Sequence, residues 1–82
     1  MPPVKVLLVQ WDINTTYATK RATRTEIEEV FAGRPIVRRN LRGRVATHLA
    51  FGVTDAGRKL AVAFIYLAET NTAYPITAWE QS

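Results

Sequence analysis

The sequence predicts an α+β domain in which two short N-terminal helices pack on a four- to five-stranded antiparallel sheet. Three observations carry that prediction: two apolar runs that meet at a turn between residues 45 and 67, a helix signature that opens at Thr23, and further β-rich runs on either side of them. Eighty-two residues suffice for one hydrophobic core and not for two, so residues 1–82 are read as a single domain. No repeat, linker or low-complexity stretch interrupts it.

Residues 4–9, Val-Lys-Val-Leu-Leu-Val, read as a first strand with Pro2 and Pro3 at its frayed start. Trp11-Asp12-Ile13-Asn14 breaks the run, and Asp12 or Asn14 can cap a short helix through about Arg21. The β-branched Thr15, Thr16 and Thr19 make that helix a poor one, and Trp11 is expected as a core or lid aromatic. The second helix has the stronger signature. Thr23-Arg24-Thr25-Glu26 is a capping box, and Ala22, Ile27, Val30 and Phe31 follow helical spacing. Glu26, Glu28 and Glu29 favour its N-terminal half, Gly33 is expected to end it in the left-handed conformation, and Pro35 prevents its resumption. Residues 36–41 form a further strand, and Arg42-Gly43 marks the next turn.

The central hairpin turns at Thr54-Asp55-Ala56-Gly57-Arg58, where Gly57 supplies the positive φ that closes a three-residue loop. With Thr54 facing Arg58, one face pairs Phe51 with Ala61, Leu49 with Ala63 and Thr47 with Ile65; the other pairs Gly52 with Leu60, Ala50 with Val62 and His48 with Phe64. Each face sets a small residue against a large one, whereas a one-residue slip would oppose Leu49 to Phe64 and alanine to alanine. Both faces are apolar, so something is expected to cover each. Glu69-Thr70-Asn71-Thr72 then turns the chain into a last strand over residues 73–79, which Pro75 assigns to a sheet edge or to an outward-facing bond.

The net charge of +4 and an isoelectric point near 10 point to a polyanionic partner, of which nucleic acid is the commonest. The placement of the cations adds to this. Arg34, Arg38, Arg39, Arg42 and Arg44 fall within eleven residues, and Lys20, Arg21 and Arg24 form a second group. The absence of cysteine excludes disulfides and thiolate zinc sites and fits a reducing cytoplasm. No apolar stretch approaches the roughly 20 residues that span a bilayer, and Met1-Pro2-Pro3 opens no signal pattern, so a soluble cytoplasmic protein is expected. A glycine-rich phosphate loop, metal-ligand spacing around His48 and a second histidine are all lacking, so no metal or cofactor is expected. What remains is a cluster of cations with one imidazole and three tyrosines. Such a set suits metal-independent RNA cleavage, in which the 2′-hydroxyl is the nucleophile and the protein moves protons and stabilises charge.

Taken together, the segments from Trp11-Asp12 to Glu80 resemble the BrnT family, the toxin half of bacterial type II toxin–antitoxin pairs. The resemblance rests on the helix start from Thr23 to Phe31, on the hairpin Leu49-Ala50-Phe51-Gly52-Val53-Thr54-Asp55-Ala56-Gly57-Arg58-Lys59-Leu60, and on Pro75-Ile76-Thr77-Ala78. It implies a compact ribonuclease fold related to RelE, a cognate antitoxin as partner, and RNA as substrate. The family typically carries a His-Gly pair where this chain has Lys20-Arg21, and arginines where it has Thr47 and Trp79, and its members frequently continue into a C-terminal helix.

On this reading Lys20, Arg44, His48 and Arg58 are the candidate catalytic residues, and Arg21, Arg38, Arg39 and Arg42 the candidate RNA contacts. His48 is weighed as a substitute general acid or base and, alternatively, as a packed strand histidine beside Phe64. Arg58 either belongs to the site or merely flanks the turn, and the arginines from 38 to 44 either meet phosphate or form a solvated edge. Two other functions stay open: a catalytically silent binding module of the same fold, and a plain nucleic-acid-binding protein. Because two short helices can cover only one face of the sheet, a homodimer or a toxin–antitoxin complex is expected.

Overall fold

The computed structural model describes residues 4–11 and 22–81. Its elements are β1 (Leu8–Val9), α1 (Arg24–Ala32), β2 (Ile36–Arg39), β3 (His48–Val53), β4 (Lys59–Leu67) and β5 (Thr72–Glu80). The strands form one sheet in the order β1-β5-β4-β3-β2. The expected α+β class is observed, but the sheet is mixed: β1 runs parallel to β5, while the other neighbours are antiparallel. A parallel pairing between the first and last strands leaves no local turn signature, because its partners lie some sixty residues apart. The first expected helix lies outside the described residues.

The hairpin has the register that size complementarity demands. Phe51 faces Ala61, Leu49 faces Ala63, Gly52 faces Leu60, Ala50 faces Val62 and His48 faces Phe64. Thr47 lies just before the ladder, its N–H donating to the Phe64 carbonyl at 3.0 Å. Gly57 has φ +85° and its N–H closes on the Thr54 carbonyl at 2.9 Å. β5 lies inside the sheet, so of the two positions that Pro75 allows the edge is not observed, whereas the outward-facing bond fits a proline beyond the last β1 pair, Val9 with Ala73. That proline is tolerated because β1 has already ended at Val9, and because the β4–β5 register shifts between Ala63 and Phe64.

α1 begins as the capping box requires. The Glu26 N–H donates to Thr23 Oγ1 at 3.1 Å and the Thr23 N–H to Glu26 Oε1 at 3.0 Å. Its end differs from expectation: Gly33 has φ −84°, and the left-handed residue is Arg34 at φ 59°. Ile27, Val30 and Phe31 bury against Ala50, Leu60, Val62, Phe64 and Ala78, with the Phe31 and Phe64 rings edge to face at 5.0 Å. Gly52 permits this approach, since a Cβ there would lie 2.9 Å from Val30 Cγ1 and 3.3 Å from Pro35 Cβ. Val6, Val9 and Trp11 pack at the margin of the same core. Asn71, at φ 52°, ties in the N-terminal segment: its carbonyl accepts the Leu7 N–H at 2.8 Å, and its Nδ2 donates to the Lys5 carbonyl at 3.1 Å.

No described element crosses the opposite face of the sheet. Ala61 and Ala63 are buried there among larger cross-strand neighbours, while Ile36 and Val53 stay 64% and 50% exposed. One face of the hairpin is thus the core and the other is an apolar surface. No helix among the described residues is long and apolar enough to cross a membrane.

Candidate nucleic-acid interface

The two ends of the β3–β4 hairpin carry the candidate residues, and they are built differently. At the turn, the Arg58 guanidinium reaches over to α1 and to the last residue of β5. Its Nη1 donates to both Glu26 carboxylate oxygens at 3.0 and 3.1 Å, and its Nε to Glu80 Oε2 at 3.0 Å. The Glu80 bond, then that of Glu26, holds the Arg58 pKa above its ordinary value. The Thr23 N–H, followed by Arg58, holds the Glu26 carboxyl below its ordinary range. Thr54 Oγ1 accepts the Arg58 N–H at 3.1 Å, and Glu29 accepts the Asp55 N–H at 3.1 Å. Arg58 therefore ties turn, helix and sheet together.

At the other end, the connection between β2 and β3 is shaped by Asn40. Its N–H donates to the Thr47 carbonyl and its Nδ2 to the Ala46 carbonyl, both at 2.9 Å, while its Oδ1 accepts the Leu41 N–H at 2.9 Å. Gly43 turns the loop at φ +82°. The loop bends around a hollow of about 250 Å3 lined by Arg39, Arg42 and Arg44 together with Asn40 and Thr47. None of these three arginines has an ion-pair partner among the described residues.

His48 opens β3 beside this hollow and lies directly across from Arg39. Its ring stacks on Phe64 at 5.8 Å and meets the edge of Tyr66 at 5.5 Å. Thr47 Oγ1 accepts the Tyr66 N–H at 2.9 Å and sits 2.8 Å from His48 Nδ1, which fixes one side of the imidazole. Nε2 has no partner among the described residues. Burial, and secondarily the charge of Arg39, lowers the His48 pKa and so favours the neutral ring.

The eight residues expected in the site are thus dispersed. Arg39, Arg42, Arg44 and His48 gather at the loop end. Arg38 pairs with Leu49 and projects from the opposite face, because neighbouring strand residues alternate. Arg58 is at the turn end, six residues along β3 from His48, or roughly 20 Å at the usual rise per residue. Lys20 and Arg21 lie outside the described residues. Asn40 and Thr47, which shape the hollow and hold the imidazole, carry no signal stronger than an asparagine and a threonine flanking a predicted turn. No group of His, Cys, Asp and Glu among the described residues is arranged to hold a metal ion.

Fold and loop together define a small α+β protein with a cationic hollow at one end of its sheet, lined by arginines that have no ion pair among the described residues. Compared with protein-family models, curated proteins and solved structures, the chain finds no significant match.

Proposed function

We propose that this protein acts on RNA through the β2–β3 loop as a BrnT-like, metal-independent ribonuclease toxin neutralised by a cognate antitoxin. The observation that carries the reading is that Arg39, Arg42 and Arg44 line one hollow and that His48 lies directly across from Arg39. A phosphodiester seated in the hollow would meet three cations that have no competing carboxylate partner among the described residues. His48 Nε2 would take the 2′-hydroxyl proton as O2′ attacks phosphorus. The P–O5′ bond then breaks, the arginines hold the charge of the phosphorane, and the departing O5′ takes a proton from water to leave a 2′,3′-cyclic phosphate. The apolar face of the sheet that no described element crosses supports an antitoxin or a second copy as its partner.

One observation favours the silent binding module as a second reading. His48 is the single histidine, its ring is packed between Phe64 and Tyr66, and Lys20-Arg21 stands where the family has its His-Gly pair. End-labelled single-stranded RNA incubated with protein in a chelator separates the two. The toxin reading expects cyclic-phosphate ends that disappear in His48→Gln with binding retained. Binding without cleavage by the unaltered protein would establish the silent module, and absence of both would refute an action on RNA.

A further inference from the structure

A second cavity, of about 380 Å3, lies between the N-terminal segment, the end of α1 and the start of β2. It shares no lining residue with the arginine hollow. Its size falls within the usual range for small-molecule sites, and its walls are apolar: Val4, Val6, Phe31, Pro35 and Val37. Among the described residues, the charged residues on its lining are two cations, Lys5 and Arg34, and none is acidic. Neither cation has an ion pair among the described residues.

Arg34 also holds an uncommon backbone. At φ 59° it occupies the left-handed region that glycine enters without strain, whereas Gly33 beside it sits at φ −84°, open to any residue. The chain thus keeps a guanidinium, not a glycine, at the strained position on the cavity wall. Strain of this kind gathers at ligand sites, where surrounding structure over-determines it. A largely apolar cavity with two cations on its lining selects a molecule with an apolar body and one anionic head, and a planar guanidinium matches a carboxylate through two parallel hydrogen bonds.

We propose that this cavity binds a small amphiphilic carboxylate, its chain or ring against Phe31 and Val37 and its carboxylate on Arg34 and Lys5. The inference is independent of any action on RNA. Calorimetric titration of the full chain with decanoate tests it, with acetate and decanol as controls. Saturable one-to-one binding of decanoate is expected, at least tenfold tighter than either control. Arg34→Gly removes the cation while relaxing the backbone, so it should melt at the same temperature or higher and lose binding tenfold or more, whereas Arg34→Lys should retain most of it. No saturable decanoate binding, equal binding of decanol, or an Arg34→Gly protein that binds as before would each overturn the proposal.

Discussion

The turn end and the loop end of the β3–β4 hairpin both present arginine, yet the two ends use it in opposite ways. Arg58 at the turn is engaged by Glu26 and Glu80, its N–H donates to Thr54, and the Asp55 N–H ties the turn separately to Glu29 of α1. Arg39, Arg42 and Arg44 at the loop surround a hollow with no carboxylate partner among the described residues. A cation already paired with two acids contributes to the fold and has little charge left for a ligand. Cations left unpaired around a concavity repel one another, and an arriving phosphate relieves that repulsion. Charge density alone does not separate the two cases; the position of the acids does.

Substitutions that loosen the turn end and its helix should therefore appear as lost stability. The largest loss is expected for Gly52→Val, because even one Cβ there crowds Val30 and Pro35; overpacking of this kind costs about 3 kcal/mol. A urea titration would measure it, and an unchanged midpoint would mean that α1 does not sit on β3 as described. Gly57→Val places a β-branched residue at φ +85° and should cost about 1–2 kcal/mol in the same assay. Thr23→Ala removes the cap of α1 and should cost about 1 kcal/mol, while also loosening the carboxylate that receives Arg58.

A smaller effect is expected from acid at the loop end. The folded state lowers the His48 pKa, so below the unfolded value of about 6.5 the unfolded chain binds more protons and stability falls with falling pH. Above that value the contribution is fully present. Thermal melts between pH 7 and pH 5 should show the decline, and His48→Gln should make it shallower. A His48→Gln protein with an unchanged pH profile would show that the ring is not the group that titrates.

Much of the fold was legible because its signals are local. The Thr23–Glu26 box located α1, and the alternation of large and small residues around Gly57 fixed the hairpin register to the residue. The role of Arg58 was not legible, since its partners lie 32 and 22 positions away and only the packed helix and β5 bring them to it. The same is true of the β1–β5 pairing, and of Arg34 taking the left-handed turn that Gly33 advertises. The candidate site was half legible: the run of arginines is visible in the sequence, but the division of Arg38 from Arg39 depends on which residue of β2 faces the core.

The contrast between paired and unpaired arginines is tested most directly by one pair of variants: Arg58→Ala, and the triple replacement of Arg39, Arg42 and Arg44 by alanine. For each, Tm and the salt dependence of binding to a short single-stranded RNA are measured together. The triple variant should keep its Tm, lose RNA affinity about tenfold or more at low salt, and show a log–log salt slope smaller by about 2, as befits roughly three lost phosphate contacts. Arg58→Ala should lower Tm and leave the salt slope of its folded fraction unchanged. Equal RNA affinity and equal salt slope in the triple variant, or a slope that falls only in Arg58→Ala, would contradict the proposal that the loop is the RNA-binding end.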